Sequence, residues 1–464
     1  MYFLGADIGT TSIKAAVFDE NKNMISSSLV DYTLITEGDR VEFDAEEYFT
    51  LFLKAINECI GDRQITAMAI DTQCETLIMT DEDGKPLHNA IVWLDNRAAE
   101  QAEQIKARFG SKRVYEVTGQ PEITATWPAC KMLWVRQNLP EIFAKTKKVF
   151  LLEDWILFKL TGRFVTEKTL QSSTIYFDIT RGDWWDEMLD FIGINRSQLP
   201  QLTDSAVKIG EYNGISVVTG AMDQIAGAIG AGVIREGMMS EMTGTAMVLF
   251  VPCNNIPEYR PDSIIPCHYN FNNKYSLVLW TPAAGMALKW FRNNFAESFS
   301  FAQLDEIASE VPAGSGGLVM LPHLCGSTMP KYNPEARGGF YGFTLAHTRA
   351  HAVRALLEGV ACMLKDNLEY INMDIDEIRA MGGGASSPLW CGIKADITGK
   401  RLVTLKNKET ACLGSAILAA VGVGAFKSVE KACADIGTDK EYCPSGTDMS
   451  FVYENYKKLD NKLN

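Results

Sequence analysis

A chain of 464 residues and 51.3 kDa is too long for one ordinary hydrophobic core, so two domains are expected, and 47% apolar residues are ample to build them. A formal net charge of −14 and a pI near 5.0 argue against nucleic acid or an anionic membrane surface as the main partner, so an anionic ligand must be held by local donors. The eleven cysteines are scattered without a C-x-x-C pair, no apolar run approaches the length of a membrane span, and no basic leader precedes the first apolar run, so a soluble cytoplasmic protein with reduced thiols is expected.

The opening stretch "FLGADIGTTSIKAAVFDENKN" reads as strand, tip and strand: Tyr2 to Ala6 runs out, Ile13 to Phe18 returns, and Asp7 to Ser12 forms a hairpin tip. Such a tip presents backbone N–H groups and hydroxyls to an anion. The short apolar runs "ITAMAID", "HNAIVWLD", "KKVFLLED" and "ISVVTGAMD" then alternate with helical patterns, which is an α/β signature. After about residue 233 a second series begins with "GMMSEMTGTAMVLFVP" and continues through "KYSLVLW", "GLVMLPHL" and "EIRAMGGGA". Because "MTGTA" lies between apolar runs as "DIGTT" does, the two halves look like versions of one βββ-containing unit.

In "AHTRAHAVRALLEG", His347 and His351 are spaced i, i+4, but no Glu separates them and no third ligand is near, so a helix start is expected and not a metal pair. The stretch "RAMGGGASSPLWCGIKADITGK" ends a strand at Gly382, Gly383 and Gly384 and opens a helix. A planar group can approach the bare backbone there; a packing turn is the alternative. Three such loops fit a nucleotide held across a cleft between two domains, and none matches the Walker pattern of P-loop enzymes.

Taken in order, "GADIGTTSIKAAVFD", "WLDNRA", "TWPACKMLWVRQN", "GAMDQIAGAIGAG", "MTGTA", "GGFYGFTLAHTRAHAVRALLEG" and "GGGASSPLW" resemble the FGGY family of carbohydrate kinases, members of the actin-like, sugar-kinase and heat-shock ATPase superfamily. The likeness spans nearly the whole chain. The family's first signature is met at Pro128, Lys131, Trp134, Val135, Gln137 and Asn138, with Thr126 where an aromatic, Met, Gly or Ser is usual. The second is met at Gly338, Phe340, Gly342, His351, Ala355 and Glu358, with Phe343 and Ala352 departing from the usual aliphatics. The resemblance implies an α/β fold of two actin-like (ribonuclease H-like) domains flanking an ATP cleft. Residues 1–233 would carry the sugar site, the first phosphate hairpin and the catalytic Asp, and residues 234–464 the second phosphate hairpin and the adenosine site. The implied cofactors are ATP and Mg2+, and the implied partner is a small sugar or polyol, with a homodimer left open.

Transfer of a γ-phosphoryl group needs charge compensation, in-line positioning and a base for the hydroxyl proton. The family's catalytic Asp falls on Asp223 in "TGAMDQ", after a strand and before a small-residue helix; a plain helix N-cap is the alternative. Asp7 at the phosphate tip is expected to orient Mg2+ through water, since a bare carboxylate there repels ATP. Gly9, Thr10, Thr11 and Lys14 are expected to hold phosphate oxygens opposite Thr243, Gly244 and Thr245, with Lys14 alternatively a solvated charge. By the same carry-over Gly383, Gly384 and Ala385 take the adenosine.

A polyhydroxylated acceptor needs carboxylates and amides for its hydroxyls and an aromatic wall for its C–H face. Gln73, Glu75, Trp93, Asp95, Asn96, Arg97 and Trp127 supply these, and Asp223 also faces the acceptor. Xylulokinases usually read Gln-Met-His-Gly where this chain has Gln73-Cys74-Glu75-Thr76, and glycerol kinases have Asn-Gln-Arg-Glu-Thr. The surrounding "PACKMLWVRQNLPEIF" and "GRFVTEKTLQSSTIYFDITRGDWWDEML" look like the xylulokinase branch. D-xylulose is therefore the first expectation, with a glycerol- or tetritol-type polyol, another pentulose or gluconate as alternatives. A polymerising actin-like ATPase or a nucleotide-gated sensor is the remote alternative, because neither needs Asp223 together with the polar cluster around Glu75 and Asp95.

Overall fold

The computed structural model describes residues 1–464. Its first half is built on a seven-stranded sheet ordered Lys208–Tyr212, Ile215–Val218, Ala67–Thr72, Tyr2–Ile8, Ser12–Asp19 and Met24–Asp31, with Ala221–Met222 also paired to Ala67–Thr72. Tyr2–Ile8, Ser12–Asp19 and Met24–Asp31 form an antiparallel meander, whereas Tyr2–Ile8 runs parallel to Ala67–Thr72. The second half repeats the plan. Its sheet runs Cys267–Asn270, Lys274–Thr281, Met247–Cys253, Met238–Thr243, Glu377–Met381, Arg401–Leu405 and Thr438–Tyr442, antiparallel on the hairpin side and parallel in the middle. The likeness of "DIGTT" and "MTGTA" is thus one of position: each joins the first two strands of its meander.

Strand periodicity explains what covers the first sheet. Side chains alternate between faces. Leu4, Ala6, Ile8, Met68 and Ile70 pack with Tyr48 and Phe52 of the helix Ala45–Ile60. Phe3, Ala67 and Ala69 face the other way, toward Cys412 and Ala416 of the helix Thr410–Gly422. That second helix comes from the far half of the chain. A β-carbon on Gly5 would lie 1.8 Å from the Cys412 carbonyl oxygen, so the helix axis sits directly on the strand backbone.

The same helix crosses Asp223–Ala231 as closely. β-Carbons on Gly230 and Gly414 would each meet a carbonyl oxygen of the opposite helix at 1.8 Å, at Thr410 and Ala226 respectively. No helix is long and apolar enough to cross a membrane.

One expected element differs, and the expected helix start at the two histidines is present. "HNAIVWLD" is strand only at Ala90–Ile91, because the chain turns at Val92 to bury Asp95 and Arg97. His347 precedes the helix Arg349–Ile371, so the two histidines do not share a helical face. Both serve its start: the imidazole Nδ1 of His347 accepts from the Thr344 N–H at 2.8 Å, and His351 completes a capping box with Thr348.

Candidate active site

Asp7 and Asp71 are register partners on adjacent parallel strands, so their carboxylates emerge on the same face, the one that Thr410–Gly422 covers. Ser415 of that helix donates to Asp71 Oδ2 at 2.6 Å, while the other Asp71 oxygen has no partner. Burial, and then the charge of Asp7, holds Asp71 well above the usual carboxylate range. Burial raises Asp7 too, against the pull of Lys14. Asp71 stands at the head of "DTQCETLI", and only the strand register reveals it as the neighbour of Asp7.

Asp223 enters from the next strand, since Ala221 pairs with Asp71. It is the first residue of its helix and Met222 holds the cap position, so the plain N-cap alternative does not apply. Asp223 Oδ1 accepts the Gln224 backbone N–H at 2.6 Å and the Cys74 thiol at 3.7 Å. Burial, followed by repulsion from Asp7, pushes its pKa up to about 7. A carboxylate with that pKa can accept a proton near neutrality.

The residues expected on the acceptor side are engaged as follows. Gln73 is buried, donates to the Tyr32 hydroxyl at 3.2 Å and leaves its carbonyl oxygen unpartnered. Glu75 has a left-handed backbone, φ 60°. Its pKa is pushed up to about 8 by burial, against the charge of Lys131 and with that of Asp223. Trp93 donates its indole N–H to Thr10 Oγ1 at 2.9 Å, tying the acceptor side to the first hairpin. Trp127 donates to the Glu122 carbonyl and precedes Pro128, the first residue of the helix Pro128–Asn138.

Asp95 and Arg97 are differently engaged from the expectation. Asp95 is 0% exposed, and its oxygens accept from Arg97 at 2.8 and 2.7 Å and from the Val41 N–H at 2.7 Å. Arg97 also reaches Glu42. Arg97 thus bridges two carboxylates, Asp95 and Glu42, and these contacts fix the shape of the loop. Asn96 donates to the Leu94 carbonyl beside them.

The first hairpin is held from beneath by the Tyr32 hydroxyl, which donates to the Gly9 carbonyl at 2.7 Å; Thr11 at its tip is exposed. Lys14 pairs with Glu409 at 2.6 Å, linking the strand after the hairpin to the loop before Thr410–Gly422. The second hairpin is backed by the glycine loop: Gly382 has φ 72°, and a β-carbon on Gly384 would sit 2.6 Å from the Thr243 side chain. The Thr243 hydroxyl is occupied by a fully buried pair, Glu241 and Lys394. Gly244, Thr245, Gly383 and Gly384 line a cavity of about 580 Å³, whereas Ala385 faces a neighbouring cavity of about 300 Å³.

Gly285 and Lys289 also line the larger cavity, and the sequence reading did not single them out. Gly285 opens the helix Gly285–Phe295 so near the hairpin that a β-carbon would meet the Gly244 oxygen at 2.1 Å. The small residues of "TPAAG" were the available signal.

Two repeated sheets, a carboxylate floor where their elements meet and a glycine-walled cavity beside the second hairpin define a two-domain phosphotransferase. Residues 2–232 match the FGGY family of carbohydrate kinases, N-terminal domain, and residues 257–423 match the C-terminal domain. The chain is 31% identical over 457 residues to the xylulose kinase of Bacillus subtilis, covering 94% of this chain and 90% of that one. It is 30% identical over 474 residues to the gluconokinase of the same organism, covering 96% and 92%. The ligand-bound xylulose kinase of Lactobacillus acidophilus superposes with a TM-score of 0.91 at 26% identity, over 100% of this chain and 98% of the other. The chain belongs to the FGGY family of carbohydrate kinases, ATP-dependent phosphotransferases acting on sugars and polyols.

Proposed function

We propose that this kinase phosphorylates a neutral ketopentose, D-xylulose first, and that its site divides between residues 1–233 and 234–464. The observation that carries the choice is that the acceptor floor is lined with carboxyl groups and offers no unengaged basic group. Asp7, Asp71, Glu75 and Asp223 converge there, while the basic groups nearby are engaged: Lys14 with Glu409, Arg97 with Asp95 and Glu42, and Lys131 with backbone carbonyls. Carboxyl groups suit the hydroxyls of an uncharged sugar, whereas a sugar acid brings a charge that no unengaged basic group there meets. A short polyol is the second reading, favoured by Glu75 lying close enough to Asp223 for the Asp223 charge to bear on it.

In this reading Asp223 takes the proton of the attacking hydroxyl, and Gln73 and Glu75 orient the acceptor against Trp93 and Trp127. Gly9, Thr10 and Thr11 hold phosphate oxygens from one side and Gly244 and Thr245 from the other, with Gly383 and Gly384 against the adenosine. Lys14 reaches a phosphate only by leaving Glu409. Mg2+ is usually carried by phosphates and water with one or two carboxylates. Asp7 is the carboxylate that fits this role; bound beside it, the ion would offset phosphate charge.

Acceptor screening with coupled ADP detection tests the substrate. D-Xylulose is expected to give the highest kcat/KM, and gluconate a value at least about tenfold lower, the cost of one charge buried without a partner. Gluconate as the preferred acceptor would overturn the reading. Glu75→Gln is expected to raise the acceptor KM while leaving that for ATP nearly unchanged, because ground-state binding to the sugar is what is lost. A larger defect toward Mg-ATP would place Glu75 on the wrong side of the cleft.

A further inference from the structure

Lys131 is 0% exposed, the fourth residue after Trp127 in the family's first signature, and has no part in the scheme above. Its ammonium donates to the carbonyl oxygen of Glu75 at 3.0 Å and to that of Val92 at 2.9 Å. Those two carbonyls belong to separate loops. One carries Gln73, Cys74 and Glu75; the other leads into Trp93, Asp95 and Arg97. This one buried side chain therefore fastens both acceptor-side loops to the helix Pro128–Asn138, which Trp127 immediately precedes.

Glu75 needs such a restraint. Its φ of 60° lies where a residue with a β-carbon remains only when its surroundings hold it. The lysine bonds to the carbonyl of that same residue, and its charge also bears on the Glu75 carboxylate. Simple packing does not account for this, since an apolar side chain of equal length fills the space without a buried charge.

We propose that Lys131 is a positioning residue of the acceptor site: it pins the Glu75 and Val92 carbonyls to one helix, keeps Glu75 in its left-handed backbone and so aims its carboxylate into the site beside Asp223. The proposal rests on the reading of Glu75 as an acceptor ligand.

Lys131→Met removes both hydrogen bonds at nearly constant length. It is expected to raise the acceptor KM about ten- to a hundredfold, the range for hydrogen bonds made by a charged donor, and to leave the KM for ATP within about twofold. In a Glu75→Gln background the same change should add little, because both act through one carboxylate. Lys131→Arg keeps the charge in a longer, planar head that cannot sit between the same carbonyls. It should show the same split at smaller size, and it serves if the methionine variant does not fold. An unchanged acceptor KM in a folded Lys131 variant, with only kcat or the active fraction reduced, overturns the proposal. So do full, independent penalties in the double variant. If Glu75→Gln alone leaves the acceptor KM unchanged, the reading of Glu75 fails and the proposal falls with it. A raised KM in Glu75→Gln with none in either Lys131 variant rejects Lys131's role alone.

Discussion

Asp223→Asn is expected to lower kcat by about a hundred- to ten-thousandfold, the usual contribution of a positioned base. The substitution is nearly isosteric and keeps an oxygen to accept the Gln224 N–H, a contact of 2.6 Å in the protein, so nucleotide affinity by direct titration should survive. The pH dependence should separate base from scaffold. With the Asp223 pKa raised to about 7 by burial and by Asp7, the ionised, proton-accepting form gains population as pH rises through 7. Accordingly log kcat/KM for the acceptor should climb with unit slope below that point and level off above it. The asparagine variant should lack that limb. Near-normal turnover by Asp223→Asn across neutral pH would mean that the base lies elsewhere.

Gly414→Ala is expected to destabilise the protein, although helix propensity alone predicts the opposite. Alanine in a helix interior is favoured over glycine by about 0.8–1.0 kcal/mol. At Gly414, however, the new carbon would lie 1.8 Å from the Ala226 carbonyl oxygen and 3.0 Å from the Gly230 nitrogen, all backbone atoms that cannot swing aside. Overpacking of this kind costs about 1–3 kcal/mol or more, and relief by shifting the helix is opposed by its contact with Gly5 on the other flank. Gly227, on the crossing helix Asp223–Ala231, has nothing within 4 Å of its own missing carbon, so Gly227→Ala is the matched control and should raise the melting temperature. Equal stabilisation by both changes would show that the helices do not cross as tightly as described.

The legible part of the fold was the part written in local chemistry. Each hairpin announces itself by a polar Gly-Thr tip between apolar runs, and the glycine loop by three residues without side chains. Asp223 was legible because a carboxylate followed by "AGAIGAG" marks a helix start at a strand end. What stayed hidden depended on partners distant in sequence. Asp71 becomes significant only when parallel register sets it beside Asp7, and Ser415 reaches it from 344 residues away. In "WLDNRA" nothing shows that Arg97 pairs with Asp95 and also with Glu42, 55 residues earlier. Lys131 read as one position in a family signature, and its two carbonyl partners lie 56 and 39 residues earlier.

The hydrogen bond from the Trp93 indole to the Thr10 hydroxyl joins a wall of the acceptor pocket to the loop proposed to grip phosphate. A hydroxyl has one proton to give, and here its lone pairs are shared with an indole. When Thr10 turns its proton toward a phosphate oxygen, it stays free to accept from Trp93, and the indole in turn stiffens its orientation. In the proposed scheme sugar and nucleotide therefore meet a common element. Any change that sugar makes in nucleotide affinity through it is, by reciprocity, matched by the same factor in the effect of nucleotide on sugar affinity.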